Sequence, residues 1–209
     1  MVLIDRPQSP QSLIYGGQVL PVSGTDDILT LTTANTVLGT DFLSRINADL
    51  RETKGWSYGV RGTINQPQNR ASYIVNAPVQ ADRTGESIAA LVSQYDRFLG
   101  AEGVTAQERE RTVLGRTRAL SGSYETSYQV LGALQSNALY SRPDDYPETL
   151  AGRINALTAQ EMDAAARAAI QPSRFVWVVV GDASVVKPQL DALGLPVEVR
   201  AAEASKPAQ

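Results

Sequence analysis

The residues Gly55-Trp56-Ser57-Tyr58-Gly59, preceded by Lys54, match the G-x-S-x-G spacing at which serine hydrolases present their nucleophile. That elbow needs a strand before it, a helix after it and a base to take the serine proton. The chain contains 0 His. Its lysines are Lys54, Lys187 and Lys206, so only Lys54 stands near Ser57 in sequence. A second pair in the same region is Arg51 and Tyr58. Arg51 lies four residues before Gly55 and Tyr58 three after it, so a chain reversal at Gly55 brings both side chains to one turn. A guanidinium that is always charged, beside a phenolic donor, makes a grip for a backbone carbonyl or a developing oxyanion. The plainer reading has Arg51 favouring a helix C-terminus and Tyr58 as a half-buried strand aromatic.

Other constellations carry a structural reading. Asp26/Asp27 and Asp144/Asp145 are carboxylate pairs, but each stands at a helix start or a proline turn, where aspartate caps the backbone. Glu108-Arg109-Glu110-Arg111 reads as a solvated helix face. Gly16-Gly17 lacks the further glycines of a phosphate-binding loop and reads as a bulge or a close-packing point. Trp56 and Trp177 read as core.

The elements that must position Arg51 and Tyr58 follow from periodicity. Ser12 to Leu20 reads as a buried strand, and Ile28 to Leu38 shows helical spacing after Asp26 or Asp27. Phe42, Leu43, Ile46, Asn47 and Leu50 predict a helix from Phe42 to Thr53, with Gly55 as its left-handed cap. Trp56 to Ile64 and Ala71 to Ala77 read as a strand pair around a polar turn at Asn65 to Asn69, closed by Pro78. KGWSYG thus follows a helix and precedes a strand, the reverse of the hydrolase elbow.

A mainly helical middle follows. Ile88 to Leu99 is amphipathic, Thr105 and Glu108 form a capping box opening Ala106 to Leu120, and Ser127 to Tyr140 gives another helix. Pro143 to Pro147 forms a turn, and helical spacing resumes at Leu150. Thr158 with Glu161 caps the helix Ala159 to Ile170. Arg174 to Val180 is apolar throughout and predicts a central strand; a short helix from Val186 to Leu193 follows. Met1 to Asp5 reads as an extended lead-in segment and Val197 to Gln209 as a fraying tail, leaving residues 1–196 as a single α+β domain and 197–209 as a C-terminal tail.

Composition limits the function. The 209 residues carry 43% hydrophobic and 20% charged side chains, as in a soluble globular chain, with net charge -3 and no basic footprint for nucleic acid. With 0 Cys and 0 His, only oxygen ligands remain for a metal, so no zinc site is expected within the chain. No stretch is long and apolar enough for a membrane span, and the N-terminus lacks a basic region followed by an apolar one, as expected of a mature or excised chain. Compartment stays open between cytosol and periplasm.

The stretch Leu38 to Gly59 resembles the second-half domain of the pitrilysin/insulinase-type zinc peptidases, the inverzincins. Ser44-Arg45-Ile46, Leu50-Arg51-Glu52, Gly55 and Tyr58 fall in the family's pattern. The resemblance extends over nearly the whole chain: the opening Asp5 to Gln11, the helical middle, the strand ending Val180-Gly181-Asp182 and the closing Leu193-Gly194-Leu195-Pro196. Thr40-Asp41, Thr53 and Trp56 depart from it and bear on peptide preference.

The resemblance implies a mixed, largely antiparallel sheet layered with helices, like one domain of the processing-peptidase and insulinase clamshell. It implies a bacterial chain that binds no cofactor itself, with zinc held through H-x-x-E-H on another domain or subunit. Its partners would be a peptide or unfolded protein substrate and that zinc-bearing domain. Arg51 and Tyr58 would hold the substrate backbone near the scissile bond of a metalloendopeptidase, this chain alone being inactive. The alternative is a non-catalytic structural or interaction module of the same descent.

Overall fold

The computed structural model describes residues 1–202. Six strands form one mixed sheet: β1 (Val2–Asp5), β2 (Gln11–Val19), β3 (Arg61–Asn65), β4 (Ser72–Gln80), β5 (Val176–Gly181) and β6 (Glu198–Ala201), in the spatial order β3-β4-β2-β5-β1-β6. The pairs β3/β4, β4/β2 and β2/β5 are antiparallel, and β1 runs parallel to both β5 and β6. The α+β architecture expected from the order of elements is the one observed.

The helices are α1 (Leu29–Asn35), α2 (Arg45–Asn47), α3 (Thr84–Leu99), α4 (Ala106–Ser121), α5 (Ser127–Leu139), α6 (Tyr146–Ala156), α7 (Ala159–Ala169) and α8 (Ala183–Asp191). Burial alternates along the strands, so one sheet face meets the core and the other is open. Leu3, Ile14, Tyr73, Val75, Ala77 and Val179 are buried on the core face, whereas Tyr15, Ile74 and Val176 on the other face are exposed. An apolar run such as β5 suggests cover on both sides. Here it has cover on one side only, and Val176 is 68% exposed.

Tyr73, Tyr95, Phe175 and Trp177 form an aromatic cluster with ring centroids 5.3 to 6.0 Å apart. The Tyr73 and Tyr95 hydroxyls bond each other at 2.9 Å, giving each buried phenol its partner. Burial raises both of their pKa values. Gly16 is required by this cluster, because a Cβ there would overlap the Trp177 ring. The β2/β4 register runs unbroken through Gly16 and Gly17, so close packing, and not a bulge, accounts for the pair.

Several boundaries move. The predicted helix from Phe42 to Thr53 begins only at Arg45, because Asp41 to Ser44 form a loop. The strand expected from Trp56 begins at Arg61. Pro78 does not close β4; it sits inside, opposite Leu13. Its carbonyl accepts from Ser57 beyond the end of β3, so its ring nitrogen faces a side where no ladder hydrogen bond is needed. The lead-in segment is an interior strand, β1, and residues 198–201 of the expected tail are paired as β6. Residues 203–209 of that tail lie outside the described residues.

Candidate functional site

Arg51 and Tyr58 come together across the reversal at Gly55. Gly55 has φ +66°, the left-handed conformation that glycine adopts without strain. The helix reaching it is unusual. From Ala48 to Thr53 it widens to π-helical hydrogen bonding, with Lys54 N–H donating to the Asp49 carbonyl (3.0 Å), and the Trp56 N–H then reaches across Gly55 to the Leu50 carbonyl (2.9 Å) as the closing bond of the left-handed cap. The chain is then held against β4 by the Gln80 N–H, which donates to the Trp56 carbonyl at 3.0 Å.

Both side chains line one open groove of about 470 Å³, together with Asp41, Phe42, Arg61 and Asn76. Tyr58 is 87% exposed, so it is not the half-buried strand aromatic of the plainer reading. The Arg51 guanidinium lies 4.4 Å from the centre of the Phe42 ring, with Nε 3.2 Å from the Glu52 carboxylate. Both partners of that ion pair are well exposed, so it contributes little to stability. Stacking on Phe42 leaves the Nη edge able to donate to a ligand.

Asn47, which the sequence showed only as one position of a helical stripe, organises the groove. It is buried, its Nδ2 donates to the Phe42 carbonyl (2.7 Å), and its Oδ1 accepts the Val60 N–H (2.8 Å). It thus ties the loop under Arg51 to the segment following Tyr58. A polar residue at an apolar helix position was the available signal.

Ser57 is excluded as a nucleophile by its contacts. It is buried, donates to the Pro78 carbonyl (2.5 Å) and accepts from Gly59 N–H (3.1 Å). Lys54 turns away to pair with Asp49 and lies over the Trp56 ring at 5.5 Å. Trp177 is core, whereas Trp56 is only partly buried.

The charge run on α4 is solvated only in part: Glu110 and Arg111 are exposed, whereas Glu108 and Arg109 are half-buried and engaged. Glu108 accepts from Arg45 through both oxygens at 2.7 Å while closing the capping box with Thr105. Burial pushes the Glu108 carboxyl up, but the hydrogen bonds from Arg45 and Thr105 and the Arg45 charge outweigh it, leaving the pKa at about 2. Arg109 donates to the carbonyls of Leu157 and Asn155, and Arg111 to that of Leu43. Asp27 accepts the Leu29 N–H at the start of α1, and Asp26 the Ser23 N–H. Asp145 is the residue before α6.

Among the described residues no three His, Cys, Asp or Glu side chains converge to hold a metal ion. With 0 His in the chain, the donors present do not suit zinc. No helix among the described residues is long and apolar enough to cross a membrane.

The family described as peptidase M16 inactive domain matches residues 1–115. No curated protein matches the chain. Among solved structures, a peptidase M16 inactive domain from Pseudomonas fluorescens superposes with a TM-score of 0.77 at 23% identity, over 87% of this chain and 43% of that one. A protease from Helicobacter pylori gives 0.75 at 14% identity, over 86% and 43%. A candidate zinc protease from Bordetella pertussis Tohama I gives 0.69 at 19% identity, over 84% and 95%. The chain therefore spans less than half the length of the first two. At these identities the superpositions speak for the fold alone, while the family match covers more than half of the chain. This chain belongs to the M16 peptidase family, the pitrilysin and insulinase type, as a domain of its inactive, non-zinc class.

Proposed function

We propose that this domain holds the backbone of a peptide or unfolded protein for hydrolysis by a zinc site on another domain or subunit, with Arg51 and Tyr58 as the gripping groups. The observation that carries the reading is the shared groove: a stacked guanidinium and an almost fully exposed phenol line one open cleft, beside the uncovered face of the sheet. An exposed tyrosine has little structural reason to stand there, and two donors of different geometry suit a carbonyl whose oxygen gains charge during attack. Residues of this chain bind and orient the carbonyl and stabilise its developing charge. They supply neither the attacking water nor a general base.

The test is kinetic, in the enzyme assembled with its zinc-bearing half. Tyr58→Phe and Arg51→Ala should each lower kcat/KM, by about 2–4 kcal/mol of transition-state stabilisation for a well-aligned donor. Bound zinc and the thermal midpoint should stay unchanged. Kinetics indistinguishable from wild type for both variants would remove the role. The alternative, a non-catalytic interaction module, draws on a fold shared with Complex III2 from Candida albicans, matched with a TM-score of 0.68 at 10% identity. It predicts variants that alter assembly without altering turnover.

A further inference from the structure

A second cavity, sharing no residue with the Arg51/Tyr58 groove, lies where the start of α1, the β3–β4 turn and the α5–α6 turn meet α4 and α6. It holds about 450 Å³, within the size range of small-molecule sites. Three guanidiniums line it: Arg116, Arg142 and Arg153. Two carboxylates do as well, but Asp27 pairs with Arg153, and Asp26 accepts a backbone N–H from Ser23.

Arg116 and Arg142 have no carboxylate partner among the described residues. Arg116 meets only the Thr36 hydroxyl (3.3 Å), and Arg142 only the Ser136 hydroxyl (3.2 Å). Arg142 is nonetheless braced, 4.9 Å from the centre of the Tyr140 ring and 4.5 Å from that of Tyr146. Tyr140 is itself anchored by its hydroxyl donating to the Gln66 carbonyl at 2.7 Å. Partial burial disfavours the charged form of Arg116, yet a guanidinium does not give up its proton under ordinary conditions. A desolvated cation without a counter-charge is costly, and an anion entering the cavity offsets that cost. Leu29 and Leu150 add apolar wall beside the tyrosines.

We propose that this cavity is a binding site for a small ligand that carries a carboxylate or phosphate group on a flat apolar body, with Arg116 and Arg142 meeting the anion. A fork of N–H donors recognises the oxygens of either anion, and Leu29 and Leu150, beside the tyrosine rings on which Arg142 and Arg153 already lie, wall the space for a flat apolar group next to it.

Isothermal titration with benzoate, phenyl phosphate and the neutral benzamide tests this. Saturable binding of benzoate, phenyl phosphate or both is expected, with none for benzamide; which anion binds more tightly separates carboxylate from phosphate. Arg116→Gln and Arg142→Gln should each weaken binding by about tenfold or more, while Arg174→Gln, outside the cavity, should leave it unchanged. Circular dichroism checks each variant's fold, and if Arg116→Gln does not fold, Arg142→Gln decides. The site is overturned if neither anion binds below about 10 mM, if benzamide binds as well as benzoate, or if a folded variant binds like wild type.

Discussion

Arg45 and Glu108 are 63 positions apart, yet they fix the helix that presents Arg51. Arg45 also donates to the Glu102 and Gly103 carbonyls, so one guanidinium joins α2 to the loop before α4 and to α4 itself. Because the Glu108 pKa lies near 2 in the folded chain, against 4.5 ordinarily, its ionised form is favoured by folding. The sign follows from that depression: the contribution is fully present above pH 4.5 and is lost as pH falls toward 2. Urea unfolding of wild type and Glu108→Gln should therefore differ at pH 7 and converge through that window. A gap that stays constant with pH would show the carboxylate charge to be irrelevant. The charge run on α4 was legible as helical, but its partners were not. Sequence spacing reports neighbours on one helix, and these partners come from another.

At the scale of elements, local signals marked most helix starts. The capping boxes at Thr105/Glu108 and Thr158/Glu161 appear as expected, and a third, Thr126/Gln129, opens α5 with glutamine in place of glutamate. The π-helical turns at Thr36–Thr40 and Ala48–Thr53 were not legible. Apolar spacing of three and four fits an α-helix and a locally widened one alike, and closure depends on what packs outside. The α5 helix buries no residue, and Leu131 and Leu134 are 52% and 61% exposed. In this chain Leu131→Ser and Leu134→Ser should each change stability by no more than about 0.5 kcal/mol. Leu38→Ala, in the core, should cost about 2–5 kcal/mol. Denaturant midpoints compare them directly. A large loss at Leu131 would mean that α5 packs more tightly than its exposure indicates.

For the molecule as a whole, the chain offers no histidine or cysteine ligand, so the zinc of the proposed function would be held by another domain or subunit. The chain alone, with zinc added, should hydrolyse no unfolded peptide, and activity should return when a metal-bearing half is supplied. Hydrolysis by the isolated chain would overturn the proposed division of labour. The sequence by itself determined the order of the elements between β2 and β5, the turn at Gly55 and the identity of Arg51 and Tyr58 as candidates, because each is written in local spacing and residue type, and its motifs carried the family resemblance. Only the tertiary structure decided that β1 is an interior strand and that residues 198–201 complete the sheet, since four-residue strands carry little periodicity and acquire their partners from far along the chain. It likewise decided that Ser57 is buried and bonded, that Asn47 ties the groove together, and that Tyr58 is exposed. Burial and hydrogen-bond partners belong to the packing of distant segments, which local spacing does not encode.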